Sequence, residues 1–285
     1  MNKELVTTFG TDNWQEIAAA TGANVGKEGL LPSLKMNRES ENDLGQTVPI
    51  GTFMVTQNGV SIYSKVAQFR IFLNTYQYMV YDAKTNTFPN KSIIIKNFNE
   101  QAIDELGGLK CGKINGKEFK ELVAKGLVSK QEEEAQKAIK CYRGLYGLVT
   151  FENAVTADGD ATTIENLPVL WRMGGDNFNA AQDTLKSIDK MRHLYFQHWI
   201  ALDTERKKQG SNVWYFANMR PILNKEIEFS AEDMVTFTMF QESINKENLG
   251  VANKWRESKK ATTADAFMDG SLSELELNDD ISDLG

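Results

Sequence analysis

Val66-Ala67-Gln68-Phe69-Arg70-Ile71-Phe72-Leu73-Asn74-Thr75-Tyr76-Gln77-Tyr78-Met79-Val80-Tyr81 is the longest strand candidate in the chain, and its parity decides how the fold is read. Side chains along a strand point to opposite faces in turn. Phe69, Ile71, Leu73 and Met79 fall on one face and read as core; Arg70, Phe72, Asn74, Tyr76 and Tyr78 fall on the other. Rings beside a cation suit a sheet surface on which bases stack while their phosphates are neutralised nearby. A strand buried on both faces, with tyrosine hydroxyls satisfied at the rim, is the competing reading.

Working outward, residues 50–57 alternate into Asn58-Gly59, a strong hairpin turn signal, and residues 60–63 return from it. A polar loop at 82–90 leads to a strand at 91–96, where Ile93, Ile94 and Ile95 lie between Lys91 and Lys96. Residues 97–140 read as a helical insertion or crossover, with helices at 117–125 and 130–140. It contains the cationic phrase Lys110-Cys111-Gly112-Lys113, and a similar one, Lys140-Cys141-Tyr142-Arg143-Gly144, begins at its end. The second runs on to Phe151 as a glycine-punctuated strand. Its glycines permit close approach of a backbone, a nucleic acid's included, or mark a bulge where a strand bends.

Residues 156–160 read as an exposed turn, 167–173 as a strand, and Asp176 or Asn177 as the cap of a helix running to about residue 192. Residues 194–204 and 212–221 form a second hairpin, rich in rings (Tyr195, Trp199, Trp214, Phe216) and tipped by Arg206, Lys207 and Lys208. Ser230 and Asp233 resemble a capping box before a helix that Gly250 interrupts.

The chain has 39 acidic and 32 basic side chains, and seven of the acids lie in residues 262–285, which hold no Lys or Arg. Without that segment the balance is 32 against 32, so a neutral body carries an anionic tail. Such a segment repels itself and buries too little apolar surface to offset its ordering entropy. Phe267, Leu272, Leu275 and Ile281, among others, are threaded between the acids, which suits docking on a basic groove in competition with another polyanion. No apolar run reaches the roughly 20 residues that span a bilayer, and no secretory leader is recognised at the N-terminus, so a cytoplasmic protein with reduced Cys111 and Cys141 is expected.

Catalytic signatures are missing: no nucleotide-binding loop, dinucleotide fingerprint or triad order can be supported. His193 and His198 are the only histidines. With the two cysteines they nominally make a zinc set, but the cysteines are 30 apart and strand alternation puts the histidines on opposite faces. No cofactor, metal or enzymatic activity is expected.

This layout resembles the bacteriophage single-stranded-DNA-binding proteins. Strand-borne rings and cations precede a detachable acidic tail, and Leu31-Pro32-Ser33-Leu34-Lys35 and the two Lys-Cys phrases look like those of uncharacterised tailed-phage proteins associated with that group. The resemblance implies a mainly β fold with helical insertions (α+β), an OB-like five-stranded barrel with extended hairpins. The resemblance covers a core at 30–258, with a helical arm and loop at 1–29 read from pattern and a disordered tail at 259–285 read from composition. It also implies nonspecific binding of single strands in phage replication, recombination and repair, in the host cytoplasm. Bases would stack on Phe72, Tyr76, Tyr78, Tyr142, Trp199 and Trp214, with phosphates on Arg70, Lys91, Lys96, Lys110, Lys113, Lys140 and Arg143. The tail, with Asp265, Phe267, Asp269, Glu274, Glu276, Asp279, Asp280 and Asp283, would compete with DNA and recruit a polymerase, helicase or primase. A homodimer is compatible with the sequence; a membrane partner is not expected. The rival classes are a virion structural or assembly protein and a nuclease or strand-annealing recombinase.

Overall fold

The computed structural model describes residues 31–268, apart from 43, 58, 83, 86, 99, 101 and 107–115. The arm at 1–29, Asn58, Lys110, Cys111, Lys113 and the tail positions Asp269, Glu274, Glu276, Asp279, Asp280 and Asp283 lie outside the described residues. The described chain is mainly β, a nine-stranded sheet with four helices. Its strands are β1 (Lys35–Met36), β2 (Phe53–Gln57), β3 (Val60–Ser64), β4 (Val66–Asp82), β5 (Thr87–Lys91), β6 (Ile139–Thr156), β7 (Ala161–Met173), β8 (Ile200–Gln209) and β9 (Asn212–Pro221). The helices are α1 (Gly116–Ala124), α2 (Lys130–Ala138), α3 (Gly175–Lys190) and α4 (Ala231–Met268). No described helix is long and apolar enough to cross a membrane.

Two compact units divide the described residues. One comprises those up to Tyr76 together with Tyr142–Asn245; the other comprises Gln77–Cys141 and those from Lys246 onward. The unit boundaries fall inside β4, β6 and α4, so the insertion expected at 97–140 belongs to a larger body that begins at Gln77.

The sheet runs in the order β1-β2-β3-β6-β4-β8-β9, with β7 on β6 and β5 on β4 off that path. In the first unit its core face gathers Phe53, Phe69, Ile71, Leu145, Val149, Trp171, Ile200 and Leu202, and α3 covers it with Ala181 and Ile188. Trp171 meets Phe53 and Phe69 edge-on, each at 5.8 Å between centroids. Such contacts add about 0.5–1.5 kcal/mol apiece to simple burial. On the opposite face Phe72, Tyr146 and Leu148 pack with Phe240 of α4. β4 in this unit is therefore buried on both faces, and the reading of an open aromatic surface is corrected.

Gly147 has a packing role inside the protein. A Cβ there would sit 2.2 Å from the Arg70 carbonyl oxygen, so the backbone that approaches is that of the neighbouring strand β4. Register shifts between Val149 and Phe151 and between Phe151 and Ala154 bend β6, as bulges do. The sheet curls far enough to bring Gly51, ahead of β2, against the Tyr215 ring of β9. Gly51 has φ 69°, and a Cβ there would lie 2.3 Å from that ring. β1 and β9 nonetheless end the hydrogen-bonded path, and the ladder is not closed.

Several element readings change. Residues 92–96, expected as a strand, lie beyond β5, which ends at Lys91. The polar loop at 82–90 contains β5, an edge strand that tolerates Pro89 because its outer side needs no ladder donor. The strand expected to begin at residue 194 begins at Ile200, after a single 3-10 turn at Tyr195–Gln197. Gly250 does not interrupt α4, which continues through Asp265 and Phe267 into the segment expected to be disordered.

The start of α4 is fixed as the sequence predicts. Ser230 N–H donates to Asp233 Oδ2 at 2.9 Å, and Asp233 N–H donates to Ser230 Oγ at 3.1 Å. In the second unit the other half of α4 is tied to the segment after β5. Glu247 accepts from Lys91 Nζ at 3.1 Å, Asn248 exchanges two bonds with the Ile94 backbone, and Lys254 pairs with Glu105 at 2.8 Å.

Candidate nucleic-acid interface

Arg70 is 5% exposed and forms a fork with Asp233, at 2.8 and 3.0 Å, while its Nε donates to the Phe196 carbonyl at 2.7 Å. Burial works to raise the Asp233 pKa. The Arg70 guanidinium and the Ser230 bonds outweigh it, holding the carboxyl below the ordinary aspartate range. Arg143 is 1% exposed, bonded to Asn74 Oδ1 at 2.8 Å and to Gln182, and flanked by the Tyr76 and Phe178 rings at 5.0 and 4.8 Å. Phe72, Tyr76 and Tyr78 are buried. These five side chains are framework parts in this conformation, and the expectation that they meet bases and phosphates is corrected: none offers a free surface.

The other expected contacts differ in exposure. In the second unit Lys96 and Lys140 are exposed, while Lys91 is engaged with Glu247. In the first unit Tyr142 is half-buried, and Trp199 packs beside the Phe72 and Phe240 cluster. Trp214 is half-buried on the hairpin of β8 and β9.

On that hairpin cations and rings are accessible together. Its register runs from Ile200 opposite Pro221 to Gln209 opposite Asn212, around a two-residue turn in which Gly210 has φ 61°. Arg206, Lys207 and Lys208 therefore lie on the last residues of β8 and are exposed; the sequence pattern alone puts Lys207 and Lys208 in the turn. Alternation sends Arg206 and Lys208 to one face, opposite Tyr215 and Val213, and Lys207 to the other, opposite Trp214. On the latter face Lys207 Nζ stands 4.2 Å from the Phe216 centroid. Trp214 Nε1 donates to Asp176 Oδ2 at 2.8 Å, and Lys207 Nζ approaches the same oxygen at 3.4 Å. The indole bond is the largest influence on the Asp176 pKa; burial opposes it, and with Lys207 added the carboxyl is held below the ordinary aspartate range. Chemically, the hairpin offers stacking rings flanked by cations on both faces, with one carboxylate in competition for Lys207.

Sequence reasoning identified the aromatic and basic character of this hairpin but missed Tyr215 and Asp176. Tyr215 alternates away from Trp214 and Phe216, and Asp176 arrives from α3, a contact that only the tertiary fold creates. A second cluster, His193, His198 and Glu226, has ligand atoms within 4.8 Å of one another and is the group among the described residues that could hold a metal ion. No family model, curated protein or solved structure matches this chain.

Proposed function

We propose that the protein is a non-catalytic, sequence-nonspecific single-stranded-DNA-binding protein. It protects and organises strands in phage replication, recombination and repair, in the cytoplasm of the host. The observation that carries this reading is the β8 and β9 hairpin: three consecutive exposed cations, Arg206, Lys207 and Lys208, interleaved with the partly exposed rings of Trp214, Tyr215 and Phe216. Stacking on such rings contributes about 1–3 kcal/mol per base and tolerates any sequence, because every base has a flat face. The finer architecture in this reading is an opened OB-like barrel, supported by the curl that sets Gly51 against Tyr215. The acidic tail acts as a stand-in for DNA and recruits replication proteins, with Asp265 and Phe267 at the end of α4 as its nearest elements.

Titration of the tryptophan fluorescence with a single-stranded oligonucleotide and with the matching duplex tests the proposal. Quenching by the single strand that is lost in Trp214→Phe supports it. Equal affinity for the duplex, or a response independent of Trp214, refutes it. The rival assembly role predicts large particles in light scattering and no oligonucleotide affinity.

A further inference from the structure

The chain's two histidines meet where two loops are clipped together ahead of β8. α3 closes in a Schellman arrangement: Arg192 N–H donates to the Asp189 carbonyl at 2.8 Å, His193 N–H donates to the Ile188 carbonyl at 3.2 Å, and Arg192 takes φ 61°. His193 thus stands at the carboxyl end of a helix, where the peptide dipoles favour a cation. The 3-10 turn then brings His198 back beneath it, 0% exposed. Two backbone bonds, Ile222 N–H to the Trp199 carbonyl at 2.8 Å and Ile227 N–H to the Gln197 carbonyl at 2.9 Å, hold the loop that carries Glu226 alongside.

The hydrogen bonds orient the rings. His198 Nδ1 lies 3.2 Å from the Ile222 carbonyl oxygen, which can only accept. In the neutral ring Nδ1 therefore carries the proton, and Nε2 presents a lone pair. That Nε2 is 3.2 Å from His193 Nδ1, which is 3.1 Å from Glu226 Oε1. A proton on His193 Nδ1 can be aimed well at only one of these two acceptors; a cation draws on all three atoms at once. An ion bound tetrahedrally at about 2.0–2.1 Å holds its ligand atoms about 3.3 Å apart. Two of the three separations already have that length. The third, within 4.8 Å, closes by rotation of the Glu226 side chain, which is 58% exposed.

We infer that His193 Nδ1, His198 Nε2 and Glu226 Oε1 form a binding site for one divalent transition-metal ion of the zinc class. Two imidazole nitrogens exclude calcium and magnesium, which prefer all-oxygen shells. The Ile222 carbonyl fixes the His198 ring as outer-shell partners of metal-bound histidines do. Three protein ligands leave a fourth position to water. The ion would join the end of α3 to the loop after β9, so binding stabilises the first unit whatever the protein's relation to DNA.

Calorimetric titration of the chelator-treated full chain with Zn²⁺ tests the site, with Co²⁺ as a spectroscopic probe. Expected are one ion per chain, a visible Co²⁺ band of four-coordinate intensity, and a Zn²⁺-dependent rise in melting temperature. Both His193 and Glu226 are partly exposed, so His193→Gln and Glu226→Gln keep the fold, as checked by circular dichroism. Each should weaken Zn²⁺ binding at least about tenfold, the scale on which even supporting residues act. Absence of Zn²⁺ uptake by the wild-type chain overturns the inference. So does uptake of undiminished affinity in both variants, and so does a six-coordinate Co²⁺ spectrum.

Discussion

Replacing Arg70 by Met separates a framework role from a DNA-binding role most sharply. The variant keeps most of the aliphatic stem of the side chain while deleting three donated bonds, two to Asp233 and one to the Phe196 carbonyl. The pair is nearly dry, at 5% and 10% side-chain exposure. Removing one partner of a buried pair strands the other charge and costs about 3–5 kcal/mol. Asp233 keeps its bond from Ser230 N–H, which places the expected loss toward the lower end of that range. With a urea dependence of about 3 kcal/mol per molar, the unfolding midpoint should fall by about 1 M or somewhat more. The pH dependence carries a sign. Asp233 has a lowered pKa in the folded chain, so its contribution is complete above the ordinary value of 3.8 and is lost as pH falls through the folded value. The gap between wild type and Arg70→Met should therefore narrow in acid. In Arg70→Met/Asp233→Leu the stranded charge is gone and part of the stability should return, the remainder being the Ser230 cap and the Phe196 carbonyl left without their partners. A variant as stable as wild type, with weaker and less salt-sensitive DNA binding, would refute the framework role and restore Arg70 as a phosphate contact.

Other substitutions probe other contacts. Gly147→Ala forces a Cβ within 2.2 Å of the Arg70 carbonyl, and a thermal melt should show a loss of several kcal/mol, as overpacking of a rigid strand pair does. Arg192→Gly relieves a left-handed residue at the end of α3 and should stabilise by about 1 kcal/mol in the same assay. Asp176→Asn releases Lys207 from its competing carboxylate and should tighten single-strand binding at low salt, measured by fluorescence titration. Deleting residues 262–285 should also tighten binding, most visibly at low salt. An unchanged affinity would end the idea of a competing tail.

Much of the strand content could be read from alternation, and the hairpins at Gly59 and Gly210 from turn chemistry. The capping box at Ser230 and Asp233 was legible too, because it is local. The failures share a cause. Parity separates the two faces of β4 but does not say what lies above each, and Phe240, 168 residues beyond Phe72, seals the face that read as open. A buried Arg on a strand looks like a surface Arg until its partner, Asp233, is placed. His193 and His198 fall on opposite faces only if the strand is continuous, whereas a 3-10 turn sets their rings 4.8 Å apart between centroids. Gly250 read as a break because glycine disfavours helix interiors by about 1 kcal/mol. The contacts on either side, through Phe240, Asn248 and Lys254, hold the helix through it.

The salt dependence of single-strand binding tests the central claim most directly. Each phosphate that a cation no longer neutralises should reduce the slope of log affinity against log salt by about 0.7. Wild type and Arg206→Gln/Lys207→Gln/Lys208→Gln should therefore differ in slope by about 2, with their melting temperatures alike. An identical slope in the two proteins would contradict a DNA interface on the β8 and β9 hairpin.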